Sequence, residues 1–146
     1  MNRADVFEQL ILDEGIRHEI YLDHLGYPTF GVGHLIVPSD PEYGAEIGSP
    51  VSEERVWEAF NQDLDDAISE CKVLYPMWDG FPEEVKQILV NMMFNMGRPN
   101  LSKFRKMNEH LASRNWKDAA TEGRDSLWYR QVPNRAERLM SRLEVV

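Results

Sequence analysis

Glu14, Asp23 and Thr29 are two carboxylates and a hydroxyl set around one glycine-punctuated stretch, from Asp13-Glu14-Gly15 to Gly31-Val32-Gly33-His34. Two carboxylates can divide the work of cleaving a glycosidic bond. One protonates the leaving oxygen, and the other stabilises charge or activates a water that a neighbouring hydroxyl helps to hold. The chain has 25 acidic residues, so the same groups also read as ordinary surface charges. What separates the two readings is how the flanking elements position them.

The first of those elements is a helix. From Asp5 onward Val6, Phe7, Leu10 and Ile11 recur at helical spacing, and Glu14 extends their stripe. A carboxylate there loses hydration and meets the negative end of the helix dipole, and both effects favour its protonated form. Gly15 supplies the stop. A hairpin is then expected: Ile20 to Leu22 outward, a turn ending at Gly26, and a return from Tyr27 to Val32. In that register Asp23 opposes Tyr27 and Tyr21 opposes Thr29, leaving Asp23 and Thr29 diagonal on one face, about 5–8 Å apart. Pro28 cannot donate to a ladder, so the register calls for an edge strand or a bulge.

The runs Ile11-Leu12-Asp13-Glu14-Gly15, Ile20-Tyr21-Leu22-Asp23 and Thr29-Phe30-Gly31-Val32-Gly33-His34-Leu35 resemble the phage-type lysozymes. So do Asn61-Gln62-Asp63-Leu64-Asp65, Asn91-Met92-Met93-Phe94-Asn95-Met96-Gly97 and Trp128-Tyr129-Arg130-Gln131-Val132-Pro133-Asn134-Arg135-Ala136, in the family's order over most of the chain. The resemblance implies a catalytic triad of Glu14 as acid with Asp23 and Thr29 around the hydrolytic water. It also implies structural roles near the site for His34 paired with Asp63, and for Asp13, Arg135 and Arg138 in ion pairs near the acid. Arg135 could also tune Glu14, because a neighbouring cation opposes the effect of burial on its proton. Leu35, Phe94 and Asn95 match positions lining the family's cleft, the first two packing on sugar faces and the third hydrogen-bonding, though each equally suits lobe packing. Met107, Glu122 and Leu127 stand where short polar, amide and Arg side chains are usual, a departure that bears on which peptide stem is recognised.

Composition bounds the rest. The 146 residues, 42% of them hydrophobic, fit one compact domain. The single Cys71 lies on the apolar stripe Val56, Phe60, Leu64, Ala67 and Cys71, which suits a buried small hydrophobe rather than a nucleophile. His18, His24 and His34 lack metal-ligand spacing, so no metal or other cofactor is expected. The start, Met1-Asn2-Arg3-Ala4-Asp5, leads into a charged helix without a secretory core, and no run of 18 apolar residues occurs. Synthesis in the cytoplasm without membrane insertion is expected, with release to the wall through a separate phage protein implied by the resemblance.

Net charge is −9, against the strongly basic members familiar in that family. An acidic chain argues against nucleic acid as a partner. Residues 98–146 nevertheless carry 11 basic and 6 acidic groups. This part alone could supply attraction to an anionic wall, and it equally suits a solvated helical surface.

The expected architecture is α+β with two lobes. A hairpin lobe covers about 12–50, a connecting helix about 52–72, and a helical lobe about 73–146 that also takes in the N-terminal helix. Pro38 to Pro50 is a loop. Ser52 caps the connecting helix, Pro82 and Gly97 bracket an apolar central helix, and shorter helices follow at 102–112, 116–122 and 134–143. Longer relatives add a segment after the last of these, so here the lobe is expected to close differently. The resemblance implies a monomeric muramidase acting on bacterial peptidoglycan, usually with inversion. The alternatives are a non-catalytic wall-binding or phage structural module and, third, a lytic transglycosylase.

Overall fold

The computed structural model describes residues 1–146. Seven α-helices and one small sheet make an α+β protein. In chain order they are α1 (Arg3–Glu14), β1 (Arg17–Leu22), β2 (Pro28–Gly31), β3 (His34–Leu35), α2 (Glu53–Leu74), α3 (Glu83–Leu101), α4 (Arg105–Ala112), α5 (Trp116–Arg124), α6 (Leu127–Gln131) and α7 (Pro133–Glu144). No helix is long and apolar enough to cross a membrane. The chain divides into two compact units, residues 2–66 and residues 67–146 with Met1.

In the unit of residues 2–66 the sheet order is β1-β2-β3, all antiparallel. Tyr21 pairs with Thr29 and Leu22 with Pro28, the register the turn predicts. The third strand was not expected. β2 is therefore the central strand, and Pro28 is tolerated because it is the first residue of that strand, where a missing donor costs little. The bulge lies elsewhere. Arg17 pairs with Gly31 and Tyr21 with Thr29, so residues 18–20 face only Phe30. The bulged backbone finds its partners in the following loop, with Ile20 N–H donating to Ser49 O (2.9 Å), Gly48 N–H to Ile20 O (2.7 Å) and Val51 N–H to His18 O (2.9 Å). Every buried peptide group needs such a partner.

The core beneath the sheet is Ile20, Phe30, Val51, Val56 and Ala59, with Ile16 and Ile36 packed on it. Helix α1 belongs to this unit, where the sequence placed it with the helical lobe. Phe7 packs edge-on against Trp57 and Phe60 of α2, with ring centroids 5.0 and 4.8 Å away, and Arg3 bonds Asn61 (3.0 Å) and Asp65. Those aromatic contacts hold α1 against the first half of α2.

The Ser52 hydroxyl caps α2 by accepting from Arg55 N–H (3.1 Å), and Val56, Phe60, Leu64, Ala67 and Cys71 are all buried as their spacing requires. The boundary between the units falls inside this helix. In the unit of residues 67–146, α3 buries Val85, Ile88, Leu89, Val90, Met92 and Met93. At Gly97 its backbone leaves helical geometry (φ 77°, ψ 165°), so the predicted stop is a break followed by one more turn. α7 contributes Ala136, Leu139, Met140 and Leu143. Gly123 lets α5 and α7 approach closely, since a Cβ there would run into the Met140 sulfur. Helix α6 went unpredicted: it has five residues, too few for periodicity to register, and is held by the Ser126 hydroxyl accepting from Tyr129 N–H (3.2 Å).

Candidate active site

Glu14, Asp23 and Thr29 all belong to the unit of residues 2–66. Glu14 is the last residue of α1, one turn beyond the fully buried Leu10, and is half-buried. Gly15 ends the helix at φ 74°, its N–H donating to Ile11 O at 2.8 Å. The Glu14 carboxyl then lies against Gly33, in the turn between β2 and β3. A Cβ built on Gly33 would stand 3.4 Å from Glu14 Oε2, and φ there is 65°. Glycine at 33 thus makes room for the carboxyl and supplies the left-handed backbone of the turn.

Asp23 organises the hairpin turn. Its N–H donates to Tyr27 O (2.9 Å), and its carbonyl accepts from Gly26 N–H (2.9 Å). Its Oδ1 accepts from the N–H groups of both Leu25 and Tyr27 at 2.9 Å. These bonds fix the carboxylate in place and leave Oδ2 without a bond to the protein. Thr29 is buried opposite Tyr21. Its hydroxyl donates to Tyr27 O (2.9 Å), so what it offers to a further molecule is a lone pair.

Beyond this face His34 sits between two carboxylates. Its Nδ1 lies 2.7 Å from Asp63 Oδ2, and its Nε2 lies 2.8 Å from Asp40 Oδ2, with the ring buried. The resemblance implied only the first of these. Burial works against a charge on His34, and the bonds and charges of Asp63 and Asp40 outweigh it, so its pKa is raised. Asp40 also accepts from Val37 N–H (2.9 Å) and Arg55 Nη2 (3.2 Å). Burial opposes ionisation of Asp40, but the Val37 N–H, His34 and Arg55 hold its pKa below the ordinary value. Arg55 in turn grips Glu42 with Nε (2.9 Å) and Nη2 (3.0 Å) and reaches Glu58 (3.0 Å). The loop after β3 is thereby fastened to α2. Asp40, Glu42 and Arg55 carried no sequence signal beyond a loop and a helix start.

The remaining predicted residues are carried by β3, α3 and α7. Leu35 is on β3, 48% exposed. Phe94 and Asn95 are half-buried on α3. Asn95 Oδ1 accepts from Trp128 Nε1 (2.7 Å), a bond within the helical unit that commits the carbonyl end of this amide. Arg135 donates through Nε to Asn91 Oδ1 (2.8 Å) and through Nη2 to Asn91 O (3.2 Å), holding a buried polar residue of α3. Arg138 is half-buried on α7. Cys71 is fully buried, and burial followed by the charge of Glu70 pushes its thiol up to about 12, which removes it as a nucleophile.

The helical unit also holds a groove of about 910 Å³. Met107, Glu122 and Leu127 all line it. Lys103, Arg105 and Lys106 share it with Glu109, Glu122 and Asp125, so the basic stretch at this groove is balanced by carboxylates.

Comparison with known proteins shows a match to the phage lysozyme family over residues 12–143. Two relatives in Dictyostelium discoideum, probable T4-type lysozymes 2 and 1, are each 30% identical, over 94% and 97% of this chain and 92% and 94% of their own lengths. The pre-baseplate central spike protein Gp5 of Enterobacteria phage T4 is 35% identical over 90% of this chain, which spans only 26% of that protein. Peptidoglycan hydrolase gp36 of Pseudomonas phage phiKMV is 31% identical over 98% of this chain, which spans 16% of it.

Proposed function

The chain belongs to the phage lysozyme family, and on that basis we propose that it hydrolyses the β-1,4 bond between N-acetylmuramic acid and N-acetylglucosamine in bacterial peptidoglycan. The observation that carries this is the grouping of Glu14, Asp23 and Thr29 within one compact unit, on the span that matches the family. Glu14 protonates the glycosidic oxygen as the bond breaks. Asp23 Oδ2, left over from the turn, takes a proton from the attacking water, and the Thr29 lone pair accepts the water's other hydrogen. Asp23 then releases the proton it took and Glu14 regains one, both through solvent. The chain acts as a monomer in bringing about host lysis.

Similarity to a spike protein favours a second reading, in which the chain is a segment of a phage particle that binds wall without turnover. The presence of all three residues of the triad supports cleavage in either setting. A single experiment tests both. Purified peptidoglycan is incubated with the wild type and with Glu14→Gln, and the released muropeptides are analysed by mass. New reducing ends from the wild type, lost by a factor of about 10²–10⁴ in the variant, are the expected result. Anhydro ends would instead mean transglycosylation, and wall binding without release would mean the structural module.

A further inference from the structure

We infer that Tyr21 is a further substrate-contacting residue of the proposed reaction, its phenol donating a hydrogen bond to a sugar oxygen lying between Glu14 and Asp23. This rests on the roles proposed above for those two carboxylates.

The sheet places the ring. Tyr21 is directly opposite Thr29, so the two side chains share a face with Cβ atoms about 4.5–5.5 Å apart. Its neighbour Ile20 points the other way, into the core beside Phe30. Asp23 follows two residues on and keeps the ladder through its bond to Tyr27, which returns its side chain to Tyr21's face. The bonds of the turn set this alignment, and the register shift between Arg17 and Tyr21 leaves Arg17 on the same face as the ring.

Electrostatics place the hydroxyl. Burial raises the Tyr21 pKa, Arg17 lowers it, and the charges of Glu14 and of Asp23 each raise it further. The phenol therefore lies in the field of both proposed catalytic groups, yet its O–H makes no hydrogen bond within the protein. Arg17 lies over the ring with its guanidinium carbon 4.4 Å from the centroid and is itself held by Glu19 (2.7 Å). A cation on the ring face steadies the ring without occupying its hydroxyl.

With the Glu14 proton committed to the glycosidic oxygen in the proposed reaction, this face needs a second donor. Ionised Asp23 is acceptor-only, and the Thr29 hydroxyl has already given its proton to Tyr27 O. A sugar carbonyl or ether oxygen arriving there can only accept, so it requires a hydrogen from the protein, and the Tyr21 phenol supplies it.

The test is Tyr21→Phe, which keeps the ring and the Arg17 stack. On purified peptidoglycan it should lower kcat/KM about tenfold, the scale of one lost hydrogen bond, with an unchanged melting temperature. If the wild type cleaves and Tyr21→Phe cleaves equally well, the inference falls while the proposed function stands. If the wild type releases no reducing ends, the proposed function falls and takes this inference with it. Should Tyr21→Phe not fold, NMR titration of ring-labelled tyrosine in Glu14→Gln and Asp23→Asn provides the second measure. Each variant should lower the Tyr21 phenol pKa, and a phenol unmoved in both would overturn the inference.

Discussion

Asp23 and Asp40 lie in the same unit and are both tied to backbone amides, yet they are used in opposite ways. Asp23 spends one oxygen on the N–H groups of Leu25 and Tyr27 and keeps the other clear of protein bonds. Asp40 spends both, one oxygen on His34 and Val37 N–H and the other on Arg55. The hairpin turn thus holds a carboxylate in place without neutralising it, whereas the loop junction surrounds its carboxylate with cations. Residue type does not distinguish a carboxylate with an oxygen to spare from one whose oxygens are both used here. The difference lies in which lone pairs the fold has already used.

The largest effect that would break this contrast is at Asp23. Asp23→Asn keeps an oxygen for the two N–H bonds, so the turn and the melting temperature should hold, while cleavage of peptidoglycan should fall by about 10²–10⁴-fold through loss of the proton acceptor. A variant that melts well below the wild type and cleaves normally per folded molecule would place Asp23 with Asp40 as a structural residue.

The converse substitution is Asp63→Asn. From a buried His34–Asp63 pair alone, removal of the carboxylate would cost about 3–5 kcal/mol. The structure gives His34 a second carboxylate in Asp40, which still compensates the imidazolium, so a loss of about 1–3 kcal/mol is expected. Cleavage per folded molecule should be unaffected. Denaturant unfolding with an intact activity assay measures both, and a loss of activity larger than the loss of folded protein would sink the structural assignment.

The smallest effect sharpens the contrast by pH. His34 is raised above its ordinary value of 6.5, so its contribution to stability is complete below about that pH and is lost as pH rises through the folded value. Asp40 is depressed below its ordinary 3.8, so its contribution is present above that value and is lost as pH falls through the folded one. The junction is therefore worth most between these limits. The melting-temperature difference between wild type and His34→Gln should be flat from about pH 4 to 6.5 and shrink on the alkaline side. A difference that grew with rising pH would show that His34 is held neutral.

Much of this was legible in the chain. Leu10, Glu14 and Gly15 set the end of α1 through periodicity and a residue that tolerates φ 74°. The turn ending at Gly26 fixed the pairing of Tyr21 with Thr29. The apolar stripe and the Ser52 cap located α2 to within two residues at its far end. Each of these depends on neighbours a few positions apart, where spacing and cap chemistry act directly. The pairing of His34 with Asp63 was expected only through family resemblance, because 29 residues separate the partners.

Tertiary structure alone decided the rest. Two extra residues in β1 are stitched to residues 48–51, which ties the returning loop to the hairpin. The β3 strand makes Pro28 part of a central strand, and the contacts of Phe7 with Trp57 and Phe60 draw α1 into the unit of the hairpin. Asp40 and Arg55 gain their roles only when a loop returns to a helix 15 residues on. The sequence by itself determined the longer helices and the hairpin turn, because those follow from local periodicity and turn chemistry, while the candidate triad was implied by family resemblance. Which carboxylates are already compensated was settled by folding, because a hydrogen bond between distant residues has no local pattern to announce it.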